Sequence, residues 1–183
     1  APGVQAFGIY ATGGEGGVDL TNSGNISVDA GYATGIEVQS AGDLSVSNSG
    51  DIVAGSGLNS YYNGDNGYTY RFGTQVAPGI NATSNGEGAA VSVTNSGDIS
   101  ADGIFGATGI AATSGGLGGP ASVDNSGDIA VSQNQKYGYG AYGIVVSADG
   151  DGAVTNSGSI DVYSAGVANG ATALSFAGNA SVT

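Results

Sequence analysis

The sequence contains the segment Val93-Thr-Asn-Ser-Gly-Asp-Ile-Ser100, whose central part recurs along the chain. The segment Asn-Ser-Gly-(Asp/Asn/Ser)-Ile occurs five times and is therefore an internal repeat. Self-similarity at a period of roughly 20 to 50 residues is typical of solenoids and propellers. The five copies, which are 26, 47, 30 and 31 residues apart, begin at Asn22, Asn48, Asn95, Asn125 and Asn156.

Two further landmarks alternate with this motif. One is an alternating apolar stretch just before each Asn-Ser-Gly, as in Val91-Ser-Val93. The other is a small residue followed by an aliphatic one, found at Gly8-Ile9, Gly35-Ile36, Gly79-Ile80, Gly109-Ile110, Gly143-Ile144 and Ala173-Leu174. Each unit thus holds three short β-like segments separated by turn residues. Helices are not expected, because glycine is dense and apolar residues alternate instead of recurring every 3.6 positions.

A three-residue apolar segment cannot bury itself, but stacked copies can pair each strand with the units before and after it. The sequence therefore predicts an all-β chain that forms one parallel β-solenoid domain over residues 1–183. About six rungs of three short strands, at roughly 4.8 Å per rung, would make a rod about 29 Å long.

Three interior columns follow from aligning the landmarks. The first is expected to contain Ile26, Ile52, Ile99, Ile129 and Ile160; the second Leu20, Val46, Val93, Val123 and Val154; the third Ile9, Ile36, Ile80, Ile110, Ile144 and Leu174. The five motif asparagines are expected to stack as an amide ladder along one corner. The glycine of each Asn-Ser-Gly is expected to turn that corner with a positive φ.

The composition excludes several classes of protein. The 183 residues include 37 glycines, no cysteine and no histidine, which removes disulfides, zinc fingers and histidine-based triads. Fifteen acidic and two basic residues give a net charge of −13. Nucleic acid is not an expected partner, because its binding requires many basic residues. No run of about 18 apolar residues occurs, so we expect no direct membrane insertion.

Val-Thr-Asn-Ser-Gly-Asp-Ile-Ser at 93–100, followed by Gly-Ala-Thr-Gly-Ile at 106–110, resembles the repeats of bacterial autotransporter passenger regions. Filamentous-haemagglutinin-type exoproteins contain similar rungs. The resemblance covers nearly the whole chain at the level of the repeat. It implies a right-handed β-helix, located at the surface of or outside a Gram-negative cell, with a role in adhesion or biofilm.

Insertions in the repeat are where a solenoid usually carries its binding residues. An aromatic-rich insertion is predicted at about 55–76, with a hairpin tip at 63–67, and a smaller one at about 132–142. Eight of the fourteen aromatic residues fall in these two insertions and three more fall in the same interval of other rungs, so eleven should line one edge of the rod. The alternative is that the insertion folds down and shields the apolar coil. The candidate binding residues are Tyr61, Tyr62, Tyr68, Tyr70, Arg71, Phe72, Lys136, Tyr137, Tyr139 and Tyr142, accompanied by Tyr32, Phe105 and Tyr163.

A row of carboxylates is a weaker candidate site. Asp51, Asp98 and Asp128 occupy the same position of the motif, so stacking would place them about 5 Å apart. Calcium would suit such oxygen ligands, whereas the alternative is an outward, solvated row. No other cofactor is expected. No outlying Asp/Glu cluster breaks the repeat, so we expect no enzymatic activity.

The expected function is that of an extracellular structural or adhesive bacterial surface protein. The rod would stack end to end into filaments or form part of a longer adhesin stalk, since exposed strand edges invite pairing. A host or matrix glycan or protein would be its other partner. The alternative is a carbohydrate-binding or carbohydrate-active β-helix domain, because tyrosine rings stack on sugars and β-helices can carry paired carboxylates.

Overall fold

The computed structural model describes residues 5–55, 59–63, 68–72 and 76–183, with side chains described for 5–55 and 76–183. These residues form strands and turns and contain no helix. The strands are β1 (Gln5–Thr12), β2 (Val18–Asn22), β3 (Ile26–Val28), β4 (Tyr32–Ser40), β5 (Leu44–Asn48), β6 (Ile52–Ala54), β7 (Asn59–Asn63), β8 (Tyr68–Phe72), β9 (Val76–Ser84), β10 (Val91–Asn95), β11 (Ile99–Gly103), β12 (Gly106–Ser114), β13 (Ala121–Asn125), β14 (Ile129–Gln133), β15 (Gly140–Ala148), β16 (Gly152–Asn156), β17 (Ile160–Ser164), β18 (Ala168–Ser175) and β19 (Ala180–Val182).

The strands stack as a parallel β-solenoid, which confirms the predicted fold class. The first sheet has the order β1-β4-β9-β12-β15-β18, the second β2-β5-β10-β13-β16-β19 and the third β3-β6-β11-β14-β17. Each turn contributes one strand to each sheet, so the chain makes five complete turns and two strands of a sixth. The first-sheet strands are 8 or 9 residues long and thus longer than the three-residue segments expected there.

Two of the three predicted interior columns are confirmed by the strand register. Ile52, Ile99 and Ile129 align in successive turns and are at most 1% exposed. Ile26 and Ile160 continue this column at either end and are partly buried. The second column, formed by Leu20 and the four predicted valines, is likewise in register. β-Branched side chains suit these positions because they pack well on a pleated surface.

The third column is confirmed through Ile144, but its last predicted member is wrong. Ala171, not Leu174, lies opposite Ile144 in the register of β15 and β18. Leu174 instead pairs with Ser147, points away from the core and is 50% exposed. The final repeat has Gly170-Ala171 where earlier repeats have Gly-Ile, so the small-aliphatic pair at 173–174 was matched three residues out of register.

The predicted asparagine ladder is present at the corner between the second and third sheets. The Nδ2 atom of each asparagine donates to the Oδ1 atom of the next at 2.7 Å. The same Nδ2 also donates to the carbonyl of the glycine two residues later, at 2.6 to 2.7 Å. Asn48, Asn95 and Asn125 are at most 2% exposed. Throughout residues 5–55 and 76–183, no buried side-chain nitrogen or oxygen lacks a hydrogen-bond partner.

The expected positive φ at the motif glycines is wrong. Positive φ occurs instead at Gly17, Gly55, Gly88, Gly118 and Gly140. The motif glycines are required for close stacking: a Cβ on Gly97 would lie 2.2 Å from the carbonyl oxygen of Gly50. A Cβ on Gly127 would lie 2.1 Å from that of Gly97. The backbones therefore touch from turn to turn at this corner, which leaves no room for a side chain.

The main interruption of the repeat follows β6. Strands β7 and β8 pair antiparallel in the register of a hairpin, with Asn63 opposite Tyr68. Strand β9 then resumes the first sheet beside β4. No helix long and apolar enough to cross a membrane occurs among the described residues.

Candidate functional site

The predicted row of carboxylates lies on the outside of the asparagine corner. Asp51, Asp98 and Asp128 are exposed and follow one another in successive turns. Each Oδ1 accepts a main-chain N–H from the next turn: Asp98 donates to Asp51 at 3.1 Å, Asp128 to Asp98 at 3.0 Å and Ser159 to Asp128 at 2.9 Å. These carboxylates therefore connect adjacent turns.

Hydrogen bonding stabilises the charged form of the last carboxylate in the row. The main-chain N–H of Ser159 and then its side chain lower the pKa of Asp128 below its ordinary value of 3.8. In the described part of the chain, no group of three or more acidic side chains is arranged to hold a metal ion. Calcium binding by this row and the solvated alternative both stay predictions.

Several of the candidate binding residues fall in the hairpin after β6. Tyr61, Tyr62, Tyr68, Tyr70, Arg71 and Phe72 lie on β7 and β8, as the predicted hairpin requires. Their side chains, and the hairpin tip at 64–67, lie outside the described residues. Their proposed role in binding stays a prediction.

The smaller insertion, between β14 and β15, exposes its aromatic rings. Tyr137 is 93% exposed and Tyr139 is 78% exposed, so neither ring shields the coil. The ammonium group of Lys136 lies 6.0 Å from the centroid of the Tyr137 ring. The Tyr142 hydroxyl donates to the carbonyl of Tyr139 at 3.0 Å.

A buried glutamine holds this insertion in place. Gln133 is fully buried at the end of β14, and its Nε2 donates to the carbonyl of Ile104 at 2.9 Å and to that of Gln135. Its Oε1 accepts the Ser164 hydroxyl at 2.7 Å. Gln133 thereby connects three consecutive turns beneath the exposed rings.

Other predicted aromatic residues lie near the same corner, between the third and first sheets. Tyr32 begins β4, and Phe105 precedes β12. Tyr163 lies near the end of β17. Their exposures are 45%, 40% and 62%. We call this region, defined by Tyr32, Phe105, Tyr137, Tyr139 and Tyr163, the aromatic corner.

A pocket that sequence analysis missed lies on the outer face of the first sheet. It has a volume of about 450 Å³, within the range of small-molecule sites, and spans the first three turns. We call it the Glu37 pocket; the lining side chains that matter here are Phe7, Tyr10, Tyr32, Glu37, Gln39 and Asn81. Only Tyr32 was among the predicted candidates.

The side chain of Glu37 is the acidic group that lines this pocket. The parallel register places Glu37 between Tyr10 of the preceding turn and Asn81 of the following turn. The Asn81 amide donates to both carboxylate oxygens, at 3.1 and 3.0 Å, and the Gln39 amide donates to one at 3.1 Å. Glu37 is only 7% exposed although it belongs to the outward face of the strand.

A signal for this pocket was present in the repeat. The residue after each Gly-Ile landmark faces outward in the first sheet, and in the first three turns it is Tyr10, Glu37 and Asn81. Alignment of these outward positions by the repeat places the three side chains side by side.

The register, sheets and ladder define the chain as a β-helical repeat protein. Comparisons with known proteins found no matching family model, no matching curated protein and no matching solved structure. The architecture is therefore assigned from the fold itself, and any finer relationship is a matter of proposal.

Proposed function

We propose that this chain is a rigid rod of an extracellular or surface-attached bacterial protein, with a structural and adhesive role. The observation that supports the proposal is the constant parallel register of the turns. Hydrogen bonds of the asparagine ladder connect adjacent turns at one corner. Stacked repeats contact only their neighbours and form a quasi-one-dimensional body, which suits them to act as spacers and stalks.

The proposed setting is the outside of a Gram-negative cell, in a protein of the autotransporter or filamentous-haemagglutinin type. The supporting features are the repeat-level resemblance and the acidic, cysteine-free composition. A protein of this kind would contribute to adhesion or biofilm. Because a parallel strand edge can pair with a further strand in the same register, end-to-end self-association or continuation of a longer solenoid is the partner arrangement we favour.

Negative-stain electron microscopy over a hundredfold range of protein concentration tests the structural part of this proposal. Long unbranched filaments would support a filament subunit, and short rods of constant length would support a stalk segment. Irregular aggregates without a common axis would contradict ordered end-to-end stacking. Parallel samples with calcium and with a chelator test whether the aspartate row affects assembly.

Adhesion requires a separate test, in which beads coated with the protein are exposed to glycan arrays and to matrix proteins. The matched control is a Tyr137→Ser/Tyr139→Ser double variant, which removes two exposed rings without touching the core. Capture that is lost in this variant would support adhesion through the aromatic corner. Wild-type beads that bind no surface would contradict the adhesive role and leave the structural one.

A carbohydrate-binding function is the second candidate, and the exposed rings of the aromatic corner favour it. Tyrosine presents a large apolar face with a polar tip, which suits a sugar ring. In the glycan array, binding that is restricted to saccharides and abolished in the double variant would favour this function. Release of reducing sugar from a bound polysaccharide would instead indicate a carbohydrate-active domain.

A further inference from the structure

The Glu37 pocket differs from the rest of the outer surface in holding a charge that solvent hardly reaches. Glu37 is 7% exposed, whereas Asp51, Asp98 and Asp128 in the aspartate row are exposed. A buried charge is costly unless it is paired as well as hydrogen-bonded. The groups that contact this carboxylate among the described residues are therefore of interest.

The hydrogen-bond partners of Glu37 orient its carboxylate but do not neutralise it. Both are uncharged amides, from Asn81 and Gln39. Lys136 is the only basic residue among those whose side chains are described, and it lies over the Tyr137 ring, in the connection to β15. Strand β15 is three places from β4 in the first sheet, or about 14 Å at the usual strand spacing.

Aromatic side chains line the same pocket as the carboxylate. Tyr10 lies directly opposite Glu37 in the register of β1 and β4. The rings of Phe7 and Tyr10 are 4.9 Å apart between centroids and tilted by 37°. Tyr32 also lines the pocket. The face of an aromatic ring attracts cations, and rings beside a carboxylate are the combination that recognises alkylated ammonium groups.

We propose that the Glu37 pocket binds an alkylammonium group of a ligand, with the carboxylate of Glu37 as counter-ion and the rings of Phe7, Tyr10 and Tyr32 around the alkyl substituents. The net charge of −13 favours the approach of such a cation. This site lies on the first three turns and is separate from the exposed rings of Tyr137 and Tyr139. The proposal does not depend on the rod function.

A neutral saccharide fits the pocket less well. The amide groups of Asn81 and Gln39 could donate to sugar hydroxyls, but they already donate to Glu37. A neutral ligand would also bring no positive charge to Glu37, and among the residues whose side chains are described only uncharged amides donate to it. Binding of a neutral saccharide is therefore one of the outcomes that the test distinguishes.

The test is a titration of the isotopically labelled protein followed by NMR, for which a chain of 17.4 kDa is well suited. Choline chloride is the probe, and its uncharged isostere 3,3-dimethylbutan-1-ol is the matched control ligand; ionic strength is held constant with sodium chloride. We expect choline to shift the backbone amide signals of Tyr10 and Glu37 saturably. The isostere should bind about tenfold more weakly, because it keeps the shape and loses the charge.

Matched variants identify the groups responsible. Glu37→Gln should weaken choline binding about tenfold, whereas Glu87→Gln, which removes an exposed charge from a turn, should leave it unchanged. Tyr10→Phe should retain binding and Tyr10→Leu should weaken it severalfold, because only phenylalanine keeps the aromatic face. Circular dichroism checks the fold of each variant, and the tyrosine pair remains informative if Glu37→Gln does not fold.

Three results would overturn the proposal. The first is the absence of any saturable shift with choline. The second is equal binding of choline and its isostere, which would mean an apolar site that does not use the charge. The third is saturable binding of glucose without binding of choline, which would assign the pocket to a neutral saccharide.

Discussion

The two corners that flank the third sheet are built on different principles. At the asparagine corner every turn has the same length, the same amide hydrogen bonds and a glycine that touches the glycine of the next turn. At the aromatic corner the connection varies from turn to turn and its rings are exposed. The buried amide of Gln133 is not repeated there, because Gly103 and Ser164 lie opposite it in the neighbouring turns. One corner thus repeats, while the other accepts insertions.

This difference indicates where the solenoid gains its stability and where it can vary. A buried amide ladder is costly to interrupt, because each member is both donor and acceptor for its neighbours. An exposed ring on a connection can change with little effect on folding. Insertions such as the β7–β8 hairpin therefore accumulate at the aromatic corner, and binding functions are expected there.

The largest expected effect is from breaking the ladder at its centre. Asn95→Ala removes the acceptor of Asn48 and the donor to Asn125, and also leaves the Gly97 carbonyl unpaired. Since Asn95 is 1% exposed, water cannot replace these bonds, and we expect a loss of about 4 kcal/mol in the free energy of unfolding. Urea denaturation of the variant and the wild type measures this loss in the free energy of unfolding.

The control for this variant is Asn22→Ala, at the half-buried first position of the ladder. It removes the donor to Asn48 and two hydrogen bonds with Gly24. Because solvent reaches this position and can replace those bonds, the variant should lose only about 1 kcal/mol. Equal losses for the two variants would contradict the view that burial makes the ladder important.

Replacing one glycine by alanine at each corner tests whether close backbone contact is specific to the asparagine corner. A Cβ on Gly97 would lie 2.2 Å from the Gly50 carbonyl oxygen, so Gly97→Ala should cost about 3 kcal/mol. A Cβ on Gly106, at the aromatic corner, would meet nothing closer than 3.4 Å, so Gly106→Ala should cost less than about 1 kcal/mol. Thermal unfolding measures the loss of stability in both variants. A larger loss for Gly106→Ala than for Gly97→Ala would show that the backbones are not in close contact at the asparagine corner.

The aspartate row predicts a smaller, pH-dependent contribution. The pKa of Asp128 is lowered in the folded chain by Ser159, so its stabilisation is present above pH 3.8 and is lost as the pH falls through the folded value. The melting temperature of Asp128→Asn should therefore fall less than that of the wild type between pH 5 and pH 2. The control is Asp161→Asn, which changes the net charge by the same amount. If its melting temperature also fell less than that of the wild type over this pH range, the effect would be due to overall charge and not to the Asp128 hydrogen bond.

The smallest expected effect is at the exposed rings. The Tyr137→Ser/Tyr139→Ser double variant should change the free energy of unfolding by less than about 0.5 kcal/mol, because both rings are mainly in solvent. Urea denaturation measures the free energy of unfolding of this variant, and Asn95→Ala is measured in parallel for comparison. A loss comparable to that of Asn95→Ala would remove the contrast between the corners.

The fold could be predicted from the sequence where one residue type recurs at one position. The five asparagines and the Gly-Ile pairs established both the register and the ladder. Leu174 was misplaced because the last turn has alanine at the core position, so a nearby leucine offered a false match. The motif glycines were assigned to the wrong role, since a sequence motif does not distinguish a positive φ from a close backbone contact.

The Glu37 pocket was harder to predict because its side chains do not repeat. Tyr10, Glu37 and Asn81 are 27 and 44 residues apart and belong to three residue types. They become neighbours only through the strand register, and the burial of Glu37 depends on side chains from adjacent turns. Such a site is found by aligning the turns and then examining where they differ.

The amide ladder also has a direction. In all four hydrogen bonds between the asparagines, Nδ2 donates to the Oδ1 atom of the following turn, so the amide dipoles add head to tail along the axis. As in an α-helix, such an array carries partial positive charge at one end and partial negative charge at the other. Two copies that met with like ends together would oppose donor to donor or acceptor to acceptor at this corner. Any assembly that continues the ladder must therefore be polar, with all subunits oriented the same way.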